Sequence, residues 1–253
     1  MTHSLSAILI ARDEEADLPA CLESLKGLAQ EIIVVIAADT TDRTEEIARS
    51  SGAKVLRRNF DDYARQRQSS LDLATSDWCL WIDADERVTA PLASEIRSTL
   101  AASSTHSAFD IPFEVHFLGR RLRWGGLGSE SHVRLFRRDS GRFIGGALHE
   151  RLQITGTVSK LRASICHRPN RDISDYLGKL DRYTTLAAEK RLADGVRFHW
   201  WRYLLLPGEF FARTVLKLGI LDGYPGMTWA GLSAFHSWLK YAKLKEMERR
   251  QEQ

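Results

Sequence analysis

Over its first hundred residues the chain alternates unbroken apolar runs with segments whose apolar positions recur at helical spacing. Leu5-Ser6-Ala7-Ile8-Leu9-Ile10-Ala11 is a run of the kind a strand buried on both faces needs, and Arg12-Asp13-Glu14-Glu15 ends it. Leu18, Leu22, Leu25 and Leu28 then predict an amphipathic helix to about Ala29. Ile32-Ile33-Val34-Val35-Ile36 reads as a second strand, and Asp42 with Glu45 has capping-box spacing for a second helix that Gly52 closes. Ala53 to Arg57 is a third strand. Asp61 or Asp62 opens a third helix running to about Ala74, and Trp78-Cys79-Leu80-Trp81-Ile82 is a fourth strand. Such alternation predicts an α/β fold: right-handed crossovers and a mostly parallel sheet with helices on both faces.

Past Glu86 the period changes. Pro91 to about Ala101 reads as a helix, and Phe109 to Phe117 alternates well enough for a strand in which Pro112 favours an edge or a bulge. Trp124-Gly125-Gly126-Leu127-Gly128 is a glycine-rich loop. His132 to Phe136 and Arg142 to Ile144 flank Asp139-Ser140-Gly141, which predicts a hairpin. The last third is helical, with eleven aromatic residues from Phe198 to Tyr241 interleaved with Arg202, Arg213, Lys217 and Lys240.

Composition adds bounds. At 253 residues, 43% hydrophobic and 27% charged, the chain fits one large or two small globular domains. Its net charge of +3 is too weak by itself to argue for nucleic acid. The charge is nevertheless localised: His116 to Arg151 carries eight arginines and no lysine, against Glu130, Asp139 and Glu150. No nucleic-acid module accompanies that patch, so a phosphorylated partner explains it better. Cys21, Cys79 and Cys166 are scattered, without metal or disulfide spacing. A first strand beginning near Leu5 leaves no room for a leader ahead of it, which predicts a cytoplasmic protein.

The chemistry centres on the end of the fourth strand. Asp83 and Asp85 leave an apolar run at period two with the small Ala84 between them, and two like charges so placed suit a hard, oxygen-ligated cation. In a sheet of this class ligands bind beyond the carboxyl ends of the strands, where Arg12 to Glu15, Ala38 to Thr44 and Asp83 to Glu86 all fall. There is no Gly-x-Gly-x-x-Gly after the first strand and no Gly-Lys-Ser/Thr loop, so phosphate has to be held by metal and arginines. Tyr63, Arg65, Gln66 and Arg67, opening the third helix, are candidates, with a solvated basic face as the competing reading.

Ala11-Arg12-Asp13-Glu14-Glu15 with Cys21 to Leu25, Thr40 to Thr44, and Trp81-Ile82-Asp83-Ala84-Asp85-Glu86 together resemble the family 2 glycosyltransferases of GT-A fold. Leu148-His149-Glu150 and Ile220-Leu221-Asp222-Gly223-Tyr224-Pro225-Gly226 resemble, more narrowly, the bacterial branch that extends lipopolysaccharide or lipooligosaccharide core. The resemblance implies an inverting transfer of a hexose from a nucleotide sugar to a hydroxyl of a core or other lipid-linked saccharide, with Mg²⁺ or Mn²⁺. It implies that Ala11, Arg12, Glu14, Asp39, Arg65, Asp83 and Ala84 line the nucleotide sugar, with Asp83 toward the ribose and Asp85 on the metal. Ala37 stands where the family usually has an acidic residue reading uracil. Either Asp39 takes over the base by reaching in from two residues later or other groups hold it, and UDP stays the expected donor. His149 is expected on the metal or the leaving diphosphate, and Glu150 is expected to take the acceptor's proton. Asp13, Glu14 and Glu86 compete for that role, and His167 reads as structural.

These expectations divide the chain into a nucleotide-sugar half at 1–105, an acceptor-side β region of the same domain at 106–170, and C-terminal amphipathic helices at 171–253. Aromatic rings and basic residues on those helices suit the headgroup boundary of the inner face of the cytoplasmic membrane, with a helical pair packed on the catalytic domain or forming a homodimer as the alternative. Two other classes share the motifs: a phosphatase built on Asp-x-Asp and metal, and a non-catalytic membrane-associated nucleotide-binding adaptor. A phosphatase of that type carries the pair on its first strand, whereas here it ends the fourth.

Overall fold

The computed structural model describes residues 3–102, 105–128, 130–145 and 151–251. Strands β1 (Leu5–Ala11), β2 (Glu31–Ala37), β3 (Lys54–Arg58) and β4 (Trp78–Trp81) are parallel, in the order β3-β2-β1-β4. Helices α1 (Leu18–Leu25), α2 (Thr44–Ser50) and α3 (Tyr63–Asp72) connect them. Because strand side chains alternate, each apolar run serves two cores. Leu5, Ala7 and Leu9 pack with Val34, Ile36, Trp78 and Leu80 beside α1 and α2 on one face, while Ile8, Ile33, Val35 and Cys79 meet Leu71 of α3 on the other. Leu18, Leu22 and Leu25 of α1 are almost wholly buried, each contributing roughly 1.5–3 kcal/mol. The helix stops at Leu25, short of Ala29, because Gly27 takes the left-handed conformation (φ 67°). At α3 the Asp62 carboxylate accepts the Arg65 backbone N–H at 2.7 Å, which fixes the helix start.

Beyond β4 come β5 (Glu86–Val88), α4 (Ala90–Ala101), β6 (Ala108–Phe117), β7 (Arg120–Arg121), β8 (Ser131–Arg137), β9 (Gly141–Ile144), β10 (Arg151–Ile154), β11 (Val158–Lys160) and β12 (Ile165–His167). The sheet continues β4-β8-β6-β12-β5, with β8 antiparallel to both β4 and β6. The hairpin expected from Asp139-Ser140-Gly141 does not form. β8 pairs on one edge with β4 and on the other with β6, and a 3₁₀ turn at Arg138–Ser140 leads away to β9, which pairs with β10. β6 is likewise an interior strand, and its irregularity lies between Phe109 and Asp110 rather than at Pro112.

The chain divides into two compact units, Met1–Phe113 with Glu130–His167, and Glu114–Ser129 with Arg168–Gln253. In the second, α5 (Ile173–Ala193) packs on α7 (Gly223–Gln251) around Ala188, Tyr241 and Leu244. Phe117, Tyr176 and Trp229 add an edge-to-face cluster with centroids 5.3–6.4 Å apart. Between α5 and α7 the chain runs through a 3₁₀ turn (Trp200–Leu204), α6 (Leu205–Phe211), a π-helical turn (Ala212–Leu216) and a second 3₁₀ turn (Gly219–Asp222). The buried Asp222 accepts the backbone N–H groups of Arg123 and Trp124 at 3.0 and 2.8 Å, tying the glycine-rich loop to this segment. No helix among the described residues is long and apolar enough to cross a membrane.

Candidate functional site

β4 ends at Trp81, and Ile82 only extends it through its N–H to the Ile8 carbonyl. Asp83 to Glu86 form a turn, closed by the Glu86 N–H on the Asp83 carbonyl at 3.0 Å. The period-two argument for the two aspartates therefore does not hold, since a turn rather than a pleat sets their directions. Asp83 faces two arginines and Asp85 faces a histidine.

Arg67 from α3 donates to Asp83 Oδ1 at 2.7 Å, and Arg134 from β8 donates to Asp83 Oδ2 at 3.1 Å and to Glu86 Oε1 at 2.6 Å. Glu86 Oε2 in turn accepts the Asp83 backbone N–H at 3.0 Å. Both guanidinium groups lie over the Trp81 ring, 4.5 and 4.1 Å from its centroid, and Arg134 also faces Phe113. Burial alone would raise the Asp83 carboxyl, but the two arginines outweigh it and hold it well below the usual carboxylate range. Glu86 goes the other way: burial first, then the Asp83 charge, push it up to about 7 against the pull of Arg134. With both its oxygens bonded to guanidinium, Asp83 is a poor nucleophile, which counts against the phosphatase reading.

On the other side of the turn His167 ends β12, which pairs antiparallel with β5 so that His167 lies opposite Glu86. Its Nε2 is 3.4 Å from Asp85 Oδ2. Burial would lower the imidazole, but the Asp85 hydrogen bond and the charges of Asp85, Glu86 and Asp83 raise it above its ordinary value. Asp85, Glu86 and His167 offer ligand atoms that all lie within 4.8 Å of one another. Two carboxylates and an imidazole converging in this way form a donor set that suits Mn²⁺ or Mg²⁺. Glu86 is almost fully buried and already bonded to Arg134, which leaves Asp85 and His167, each about a quarter exposed, as the accessible ligands.

The other expected site residues fall as follows. Arg12 pairs with Asp39 at 2.7 Å, both side chains half exposed at the ends of β1 and β2, while Ala37 is buried. Asp13 (φ 54°) accepts the Thr41 N–H at 2.9 Å, and the N–H groups of Glu14 and Glu15 donate to Thr44 Oγ1 and Asp42. The loops after β1 and β2 are thus laced together, with Arg57 donating to the Ala38 and Thr40 carbonyls beneath them. Arg87 donates to Asp17 at 3.3 Å and links the first of these loops to the Asp83–Glu86 turn. All three polar clusters meet at one end of the sheet. Ala11 and Ala84 are buried in its floor. Arg65 is 72% exposed and paired with Asp61 and Asp62, so it is Arg67, two residues on, that reaches the motif. His149 and Glu150 lie outside the described residues.

Arg134 is not singled out by the sequence, and His167, expected to be structural, instead faces Asp85. Arg134 is one of eight arginines in its stretch with nothing local to single it out. His167 follows a short Ile-Cys pair that carries no metal spacing.

Residues 6–124 match the model of the glycosyl transferase family 2 domain. The chain is similar to the lipopolysaccharide core biosynthesis glycosyltransferase LpsC of Rhizobium meliloti, 28% identical over 95% of this chain and 91% of that protein. It is also similar to an uncharacterised glycosyltransferase of Rickettsia typhi, 24% identical over 96% and 87%. Among solved structures, glucosyl-3-phosphoglycerate synthase from Mycobacterium tuberculosis, crystallised with Mn²⁺, UDP and glucosyl-3-phosphoglycerate, is a distant likeness: TM-score 0.47, 21% identity, 70% of this chain and 75% of that one. The sheet with helices on both faces agrees with the GT-A architecture the motifs imply. Residues 6–124 thus carry a glycosyl transferase family 2 domain, and along nearly its whole length the chain is similar to glycosyltransferases.

Proposed function

We propose that this glycosyltransferase is metal-dependent and inverting, and that it moves a hexose from a UDP-sugar to a hydroxyl of a lipopolysaccharide core or another lipid-linked saccharide. The observation that carries the reading is the pairing of Asp85 with His167 beside an Asp83 that two arginines hold ionised. Asp83, fixed by Arg67 and Arg134, accepts from the ribose hydroxyls. Asp85 and His167 hold the divalent ion, with His149 as the further candidate from sequence. Bound there, the ion would neutralise the donor diphosphate and so make it a better leaving group. Arg12 and Asp39 border the base, and the absence of an acidic side chain at Ala37 leaves Asp39 to read uracil. LpsC, by its name a lipopolysaccharide core enzyme, supports the acceptor class.

In the transfer the acceptor oxygen attacks the anomeric carbon from the face opposite the diphosphate. The C–O bond to the diphosphate breaks with its electron pair going to the phosphate oxygen, and the hydroxyl proton passes to a carboxylate. Glu150 is that base. Asp83 and Glu86 are excluded because guanidinium contacts occupy them.

The test measures UDP binding with and without Mn²⁺ together with turnover. At donor near 100 times its dissociation constant the wild type gains about 2.7 kcal/mol of stability. Asp85→Asn and His167→Gln should lose the Mn²⁺-dependent part of that gain. Glu150→Gln should keep it while turnover falls roughly 10²–10⁴-fold. Unchanged Mn²⁺-dependent binding in both Asp85→Asn and His167→Gln, or full turnover in Glu150→Gln, overturns the corresponding assignment.

A further inference from the structure

Thirteen large apolar side chains between Val196 and Tyr224 are more than a third exposed, against six in the rest of the described chain. Trp200, Leu216 and Tyr224 are 73%, 70% and 69% exposed. Concentration of this degree on one segment marks a surface that something covers. The segment is also firmly held. Arg213 donates to the Gly125 carbonyl, the Gly125 N–H donates to the Lys217 carbonyl, and Gly219 packs so closely that a Cβ there would meet the Arg213 carbonyl at 2.6 Å. Its apolar side chains therefore stand on an ordered platform of short helical turns.

Charge identifies the cover. Residues 196–250 carry nine basic and four acidic residues, whereas the remainder of the chain carries 27 and 29. Arg202 stacks over Trp201 and Tyr241, 3.8 and 4.3 Å from their centroids. An open trough of about 340 Å³ is lined by Tyr203, Trp238, Lys245, Glu246, Arg249 and Arg250. Apolar side chains standing beside aromatic rings and a basic trough match the layering of a bilayer surface: acyl chains, then glycerol and carbonyl, then anionic headgroup. A second copy of the chain fits less well, because a two-fold contact that also covered the trough would bring Lys245, Arg249 and Arg250 against their own copies.

We infer that the segment from Trp200 to Tyr224 is a monotopic membrane-docking surface, which inserts its apolar side chains into one leaflet of an anionic bilayer while Lys245 and Arg249 contact the headgroups. It rests on the reading above only for its purpose, the approach to a lipid-linked acceptor.

The test is flotation of the full chain with phosphatidylcholine vesicles made with and without phosphatidylglycerol, alongside sedimentation velocity without lipid. Binding should need phosphatidylglycerol and weaken as salt rises from about 0.1 to about 1 M. Trp200→Ser, Leu204→Ser and Leu216→Ser should each weaken partition roughly tenfold. Lys245→Gln and Arg249→Gln should each weaken it roughly fivefold, on anionic vesicles alone. UDP binding in the presence of Mn²⁺, measured on the same samples, should be unchanged in all five. It reports folding, and it also separates failure of this proposal from failure of the donor assignment. Absence of flotation by the wild type, flotation indifferent to these substitutions, or a dimer that the serine variants dissociate overturns the proposal.

Discussion

Arg134 and Glu86 are ionisable and 5% and 1% exposed, whereas Trp200 and Leu216 are apolar and stand mostly in solvent. The first unit of the chain keeps charge inside, and each buried charge there has a named partner. The second keeps oil outside, on a platform that backbone hydrogen bonds hold in place. The two arrangements differ in what they cost the fold. A cross-paired buried network is tolerated only as a whole, so removing one member leaves the others uncompensated. An exposed apolar side chain makes few contacts within its own chain, so the fold hardly notices its loss. The contrast separates substitutions that injure folding from those that injure only function.

The largest effect should come from Arg134→Met. It strands Asp83 and Glu86, and the expected loss is about 3–5 kcal/mol in denaturant unfolding. Adding Glu86→Gln to it should recover part of that loss, since one of the stranded charges is gone. A loss under about 1 kcal/mol for Arg134→Met would show that the network does not hold the unit together.

A smaller effect is expected from pH in the second unit. Burial is the largest cause lowering both His116 and His236, with Arg168 adding at His116 and Lys240 at His236. Both imidazoles are therefore neutral in the fold at pH values where the unfolded chain, titrating near 6.5, has begun to take up protons. Stability is then full above that value and falls as pH drops through it toward the folded pKa. Melting temperature from pH 8 to pH 5 measures this, and His236→Phe should flatten the slope. Glu86 and His167, both raised, act in the opposite sense over the same window, so the comparison is between variant and wild type: a His236→Phe curve parallel to the wild type's contradicts it.

The smallest is Leu216→Ser, which should change stability by no more than about 0.5 kcal/mol. A loss of 2 kcal/mol or more would mean that Leu216 packs within the chain after all, and the contrast between the units would weaken.

The same contrast sets what the sequence discloses. The parallel strands and their helices were legible because unbroken apolar runs and glycines are local signals, and β1 runs from Leu5 to Ala11 as its pattern predicts; the capping box expected of Asp42 and Glu45 does not form, since α2 starts at Thr44 and Glu45 pairs with Arg49 and Arg57. Asp83 and Asp85 were legible as chemistry but not as geometry, because the turn that redirects them is set by Glu86 and Arg134. The hairpin failed for a related reason. Asp139-Ser140-Gly141 is good turn chemistry, but the backbone of β8 pairs with β4 and β6 and that of β9 with β10, non-local partners that a turn motif does not specify. Arg134 and His167 reach the site through strand pairing alone, which no spacing encodes. The exposed aromatic segment was visible as composition, and only burial shows which of its rings face outward.

His167 opposite Glu86 has a consequence for how the protein is made. The two partners are separated by a long stretch of chain, so their contact is non-local and slow to close compared with the neighbouring turns. A nascent chain that has emerged through residue 124, the end of the family match, holds Asp83 and Asp85 but neither Arg134 nor His167. Until β8 is synthesised, Arg67 is the only one of the two arginines available to Asp83, and Glu86 lacks Arg134 altogether. Co-translational assembly of this cluster therefore waits on the last strand of the sheet, and a protein shortened before residue 167 would carry the family's signature without the imidazole that faces Asp85.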